Sequence, residues 1–377
     1  MLPLDGLLVI SIEQAVAAPL CTARLVSAGA RVIKIERPEG DFARDYDKAA
    51  RGESSYFTWL NQGKESICLD FKDTQGASVL WAMLGKADVL VQNLSPGSLD
   101  RAGFSTRRMH EANPRLIVCN ISGYGSTGEV ADKRAYDLLV QAESGLISVS
   151  GSPQAPGRIG VSVCDIGAGI TAYGAVLEAL LKRARTGQGE ELSVSLFDVA
   201  AEWMAVPYVH AEYGTGAPLP AGLHHPSIAP YGAFACADHR LVLIAIQNER
   251  EWERLCTDVL CSEALLENPD YSSNNERVRH REALEEDITS VTCTLTSPEF
   301  QDRLRTSRIA YGAVNEAGDL KHHPATRMSG YTTAAGELLE FPAHPVLRHV
   351  ADIAEPSRSP LVGEHTAALL EEFSGPP

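Results

Sequence analysis

The chain has 377 residues, 44% of them hydrophobic, and a net charge of -16 from 33 Lys and Arg against 49 Asp and Glu. That length can bury a sizeable core and predicts two domains. The acidic balance, unrelieved by any long Lys/Arg block, argues against nucleic acid or an anionic membrane as partner.

Eight cysteines occur without a C-x-x-C pair and mostly inside apolar stretches, as reduced thiols do, which predicts a cytoplasmic setting. The N-terminus has no basic region and carries Asp5 and Glu13 early, so no signal peptide is expected. No apolar run reads as long enough to span a bilayer.

In chain order, apolar β-rich runs at 7–12, 31–36, 66–70, 88–93 and 115–122 predict five strands. Helical patterns alternate with them, one at 20–28 and one carried by Ala77, Leu80, Trp81 and Leu84. Strand–helix repetition with nearly continuous apolar strands predicts an α/β fold, a Rossmann-like parallel sheet covered on both faces. An Ala/Leu-rich helix follows at 170–185, then a strand at 191–196 and an apolar helical stretch to about 211. Residues 214–232 turn rich in Gly and Pro and read as a linker or binding loop. Beyond them, strands at 240–246 and 309–314 enclose helices at 249–260, 277–291 and 298–306, the last opened by Ser297 and Pro298. A hairpin-rich segment at 331–349 and a helix at 364–372 close the chain. The expected division is a large domain over 1–213, a smaller α+β domain with its linkers over 214–325, and a return to the large domain over 326–377.

Asp165 is the leading candidate for chemistry. It interrupts Val161-Ser-Val-Cys-Asp-Ile-Gly167-Ala-Gly169, where an apolar run meets one carboxylate and then glycines. Such a carboxylate is either desolvated or hydrogen-bonded by the amides that follow, and both tune it. The glycines would let a ligand approach the backbone. A plain N-cap aspartate is the competing reading. Gly123-Tyr-Gly125-Ser-Thr-Gly128 fits G-x-G-x-x-G but follows the fifth strand and runs into polar residues, so it reads as a loop at the sheet edge rather than a dinucleotide site. His224-His225 and His322-His323 lack partners at metal-ligand spacing, and no metal is expected. Cys164 reads as a buried thiol. Glu13-Gln14 ends the first strand, where ligands bind in parallel sheets, and Arg37, Lys72, Arg101 and Arg134 follow the next four, a distribution suited to an anionic ligand.

Glu13-Gln-Ala-Val-Ala-Ala-Pro19, Gly29-Ala-Arg-Val-Ile-Lys-Ile-Glu-Arg-Pro38, Asn61-Gln-Gly-Lys64, Asp88-Val-Leu-Val-Gln-Asn93, Ser122-Gly-Tyr-Gly125, Ala135-Tyr-Asp137, Asp165 with its glycines and Arg185-Thr-Gly-Gln-Gly189 occur in that order. Together they resemble the class III CoA-transferase family (CaiB/BaiF type). The resemblance implies an interlocked homodimer and Asp165 as the catalytic carboxylate. It places coenzyme A, as substrate and product, against Gln14, Ala15, Val16, Arg37, Leu69, Lys72, Asn93, Leu94, Arg101 and Arg134, with Tyr136 and Asp137 in the same site. Racemase members carry a histidine where this chain has Tyr136, and an unperturbed tyrosine is a poor α-proton base at pH 7. The stretch Leu223-His-His-Pro-Ser-Ile-Ala-Pro-Tyr-Gly232 lacks the glycine run of formyl-CoA transferases and looks more like succinyl-CoA:itaconate or mesaconate enzymes. The expected activity moves CoA from an acyl-CoA, succinyl-CoA above all, to a small dicarboxylate whose second carboxylate meets His224, His225 or Arg44. The alternatives are an α-methylacyl-CoA-type racemase and a nicotinamide- or CoA-binding protein without transferase chemistry.

Overall fold

A computed structural model describes residues 1–152, 154–214, 216–347 and 358–374. The chain divides into two compact units, one of residues 1–146, 158–206 and 325–377, the other of residues 147–157 and 207–324. Segment 147–157, expected in the large domain, belongs to the second unit. Its short strands Gly151–Ser152 and Ala155–Pro156 pair with each other, and Gly151 accepts a hydrogen bond from the Gly222 amide.

In the first unit, strands β1 (Leu8–Ile12), β2 (Arg31–Glu36), β3 (Glu65–Cys68), β4 (Val89–Gln92) and β5 (Ile117–Ser122) join a sixth strand, Glu191–Ser195. All pair in parallel, in the order β3-β2-β1-β4-β5-sixth. Alternation along each strand divides the side chains between two cores. Val9, Val32, Val89, Val91, Ile117 and Cys119 face the helix Ala17–Ser27 and the long helix Val163–Thr186. Ile10, Ile33, Ile35, Ile67, Leu90 and Val118 face the helices Thr74–Lys86 and Thr366–Ser374, the latter through Leu369 and Phe373. Edge strand β3 is covered rather than left open. Gly363 donates to Ser66 Oγ, His365 exchanges two hydrogen bonds with the Ser66 backbone, and Thr366 Oγ1 accepts from the Cys68 amide.

The long helix begins at Val163, seven residues before its expected start, and runs 24 residues to Thr186. By length and composition it passes as a membrane span, contrary to the sequence reading, yet Cys164, Ala168, Ala172, Val176 and Ala179 lie in the first core. Its glycines serve packing. A Cβ on Gly169 would stand 2.6 Å from Ala17 O and 2.9 Å from Leu20 Cβ, and one on Gly167 would stand 2.3 Å from the Trp203 ring. The expected approach of a ligand to this backbone is therefore closed by neighbouring helices.

The second unit holds an antiparallel sheet of Tyr231–Ala235, Leu241–Ala245 and Ala310–Ala313 under several helices. Tyr231–Ala235 was expected as the end of a loop and beyond. The predicted helix over 277–291 is two helices, Asn274–Arg279 and Arg281–Thr292, parted at His280, whose ψ of 29° leaves the helical region. Helix Ser297–Thr306 opens with a Thr296–Glu299 capping box, one residue earlier than expected. Arg277, 1% exposed, ties the unit together through Ala229 O, Tyr271 O and both Glu249 oxygens. The return segment forms the hairpin Met328–Thr332 with Leu338–Pro342, and residues 348 and 349 of that expectation lie outside the described residues.

Two glycines of the long helix give opposite expectations. Gly169→Ala forces a methyl against an immovable backbone oxygen and should destabilise by about 1–3 kcal/mol. Gly174, with nothing within 4 Å of its added Cβ, should gain up to ~1 kcal/mol on mutation to Ala. Urea denaturation of both variants checks the pair, and equal effects would contradict the packing account.

Candidate active site

The strand order reverses at β1, whose neighbours β2 and β4 lead away in opposite directions. In a doubly wound sheet the crevice for a ligand opens beyond the carboxyl ends at such a point. Here β1 continues into Glu13-Gln14-Ala15-Val16 and β4 into Asn93. The Asn93 side chain clamps that turn, accepting from the Gln14 amide at 2.9 Å and donating to Gln14 O at 2.8 Å. Ala15 takes a left-handed φ of 64°, unusual for a residue with a side chain, and its amide donates to Asp41 Oδ1 at 3.2 Å.

Beneath the turn lies a charge network with no solvent contact at its centre. Lys64 Nζ donates to Glu13 Oε1, Pro19 O and Asn61 Oδ1 at 2.7, 3.1 and 3.1 Å, and Lys34 Nζ donates to Asp41 Oδ2 at 2.8 Å. Thr22 Oγ1 donates to Glu13 Oε2. Burial works against the Glu13 charge, but Lys64 and Lys34 hold its carboxyl below the usual range. Burial pulls the Lys64 ammonium down to about 8 against the attraction of Glu13. Burial also opposes the Lys34 charge, and Glu13, Asp41 and Glu36 hold that ammonium up.

Two cavities meet the clamped turn. One, of about 560 Å³, is lined by Gln14, Arg37, Leu69, Lys72 and Leu94 among others. The second, of about 400 Å³, shares Gln14 and Leu94 and is also lined by Ala15, Asn93, Arg134, Tyr136 and Asp165. The first thus gathers two basic residues at the strand ends, and the second holds the carboxylate. Val16 is buried against Leu20 and Leu60 instead. Arg101 bonds Pro96 O and Ser98 Oγ and lines neither cavity.

Asp165 sits in the first turn of its helix, with Ser162 at the N-cap position, so it is not the cap. The cap is distant in sequence: Asp137 Oδ1 accepts from the amides of Cys164 and Asp165 at 2.7 and 3.3 Å. Asp137 Oδ2 accepts from Gln141 Nε2 at 2.6 Å. Asp137 is 8% exposed, supports the helix and lines neither cavity. Burial, then the neighbouring Asp137 charge, push the Asp165 carboxyl up to about 7. Amides 163 and 166 bond to Val161 O and Ser162 O. The opening amides are thus engaged, while Gly167 and Gly169 lie inside the helix, where amides serve carbonyls four residues back. They offer no oxyanion site. Tyr46, unremarked in the sequence, also lines the second cavity, and burial with Asp41 and Asp165 pushes its hydroxyl up to about 12, so it remains a donor at neutral pH.

Arg44 does not line these cavities. It grips both Glu36 oxygens, donates to Pro360 O and lies 3.7 Å from the Phe57 ring centre, so its donors are engaged within the protein. His224 and His225 belong to the second unit and line a cavity of about 750 Å³ with Arg281 and Glu285. His224 Nδ1 stands 2.9 Å from Glu285 Oε1, and His225 stacks on Tyr231. After β5 the Gly123–128 loop reaches no helix until Asp137, which removes the helix N-terminus that a dinucleotide reading requires.

The family model for CoA-transferase family III matches residues 4–366. Acetyl-CoA:oxalate CoA-transferase of Acetobacter aceti is 33% identical, over 99% of this chain and 96% of that protein. Succinyl-CoA:mesaconate CoA-transferase of Haloarcula hispanica is 30% identical, over 98% of this chain and 96% of that protein. A crystal structure of a CAIB/BAIF family protein from Brucella suis superposes with a TM-score of 0.88 at 31% identity, covering 99% of both chains. With a parallel sheet whose switch point carries a basic groove and an adjoining carboxylate cavity, the chain belongs to the class III CoA-transferase family and is an enzyme of that class.

Proposed function

We propose that Asp165 carries the acyl and CoA groups in a transfer from succinyl-CoA to a small dicarboxylate, mesaconate or itaconate. The carrying observation is the position of Asp165 in a cavity of about 400 Å³ that shares Gln14 and Leu94 with the basic groove. The groove suits a nucleotide bearing phosphates, through Arg37 and Lys72, and the smaller cavity suits a short acid.

The Asp165 carboxylate attacks the donor thioester carbon, the C–S bond breaks, and a mixed anhydride and CoA thiolate result. The thiolate then attacks the aspartyl carbonyl, freeing the donor acid and leaving a thioester on Asp165. The acceptor carboxylate attacks that thioester to give a new anhydride and thiolate. Attack of the thiolate on the acceptor acyl carbon releases the product and restores Asp165. Tyr46 is the proposed donor to the developing oxyanion, in place of the engaged helix amides. Arg134 and Tyr136, on the loop beside the cavity, are assigned to the CoA chain.

We also propose a cytoplasmic homodimer. Its support is eight free thiols and the exposed apolar side chains Val206, Tyr208, Val209 and Tyr213 on the helix Ala205–Tyr213, which has no buried residue.

Asp165→Ala should abolish turnover while CoA binding persists, because the lost atoms make the bond rather than hold the nucleotide. Hydroxylamine trapping and mass spectrometry of the wild type should place the adduct on the Asp165 peptide. Label on Cys164 would overturn the mechanism. Succinyl-CoA presented with a panel of acids tests the substrates, oxalate and glutarate included. Exchange of the α-proton without any acyl exchange would establish the racemase instead.

The raised Asp165 value has two consequences of opposite use. The nucleophile is the ionised form, so kcat/KM should fall as pH drops through about 7. An unfolded aspartate titrates near ~3.9, so the folded protein holds an extra proton between that pH and 7. Its stabilising effect is complete below ~4 and lost as pH rises through 7. Asp165→Asn should therefore stabilise at pH 8 by about 1–3 kcal/mol and by much less at pH 4. Melting at both pH values reads this, and a pH-independent difference would contradict it.

A further inference from the structure

We propose that Asp137 is a positioning residue that occupies the positive end of the Val163–Thr186 helix, denying it to Asp165 and so keeping that carboxylate a strong nucleophile. The inference deepens the role proposed above for Asp165 and rests on it.

A carboxylate in the first turn of a long helix normally gains from the free amides and the helix dipole, which make it a weaker base. Here that end is already taken. Asp137 Oδ1 receives the Cys164 and Asp165 amides, and Val161 O and Ser162 O receive the amides of Val163 and Ile166. Among the described residues no hydrogen bond reaches the Asp165 carboxyl. Asp137 is itself fixed from the other side by Gln141, whose amide group also exchanges hydrogen bonds with the Ile159 backbone. A second buried negative charge thus stands beside the nucleophile, held by donors that would otherwise have served it.

The other titratable groups near Asp165 are Cys164 on its own helix, Tyr46 and Tyr136 across the cavity, and Asp132, Lys133 and Arg134 on the loop that lines it. Burial keeps the Cys164 thiol neutral, with its value up at about 12. Asp137 remains the carboxylate in direct contact with the Asp165 backbone. Its charge adds to burial in raising the Asp165 carboxyl.

Ionisation of Asp165 can be followed without acyl transfer. The full chain is labelled by an isoxazolium carboxylate reagent across pH, and the Asp165 peptide is quantified by mass spectrometry. Wild-type labelling should rise with a midpoint near 7. Asp137→Asn keeps an acceptor oxygen for the two amides and removes the charge. It should move the midpoint down by about one pH unit or more, a tenfold gain in ionised fraction on the acid side. The acid limb of kcat/KM should move with it. A purely structural role would lower the melting temperature and leave the midpoint in place, which would overturn the proposal. If Asp137→Asn does not fold, Asp137→Ser, which also offers an uncharged acceptor oxygen, gives the same reading: a midpoint moved down supports the proposal, and one left near 7 refutes it. A neutral midpoint without acyl transfer would remove the transferase mechanism and leave this inference standing.

Discussion

The buried ion pairs of Glu13 with Lys64 and Lys34, and of Lys34 with Asp41, underlie everything the sheet edge presents. All four side chains are without solvent contact, so the interior bears several desolvated charges whose cost is met only if every partner stays in place. Removing one partner would leave an uncompensated charge, a loss of about 3–5 kcal/mol in comparable buried pairs. The arrangement therefore tolerates one geometry. That geometry fixes Asp41, Asp41 fixes the left-handed Ala15, and Ala15 with the Asn93 clamp fixes the turn from which both cavities open.

The same logic recurs at the second carboxylate pair, with a different result. Around Glu13 opposite charges balance, and the carboxyl is held low. Around Asp165 burial and then the charge of another carboxylate hold the carboxyl high. One group is locked as an anion for support, and the other is raised toward neutrality. Two acids on one sheet edge are thus set apart by the balance of burial and neighbouring charge.

The sheet is legible in the sequence because strands buried on both faces must be continuously apolar, and the runs ending at Ile12, Glu36 and Ser122 match the strand ends. Asp165 and most groove residues are legible for a related reason, since they stand where such runs stop. Lys34, a charge inside Val32-Ile-Lys-Ile35, is a signal of the buried network that the sequence reading passed over. What escapes is whatever joins distant segments. Asp137 caps a helix 26 residues downstream, Arg44 closes on Glu36, and Gly167 and Gly169 yield space to Trp203 and Ala17. Ser162 and Asp165 stand at capping-box spacing and marked the start of the long helix, yet Ser162 makes no side-chain cap bond and the capping oxygen comes from Asp137. The strand Tyr231–Ala235 was hidden by the Pro-rich residues preceding it.

The closure of β3 by Gly363, His365 and Thr366 bears on how the chain is made. A ribosome delivers β1 to β5 long before those residues, and the edge groups of Ser66 and Cys68 then have no protein partner. The apolar side chains of Ile67, Leu80 and Met83 likewise lack Leu369 and Phe373. Nascent chains must carry an unpaired strand and an uncovered hydrophobic face through the synthesis of some three hundred residues, the state in which neighbouring chains on a polysome aggregate.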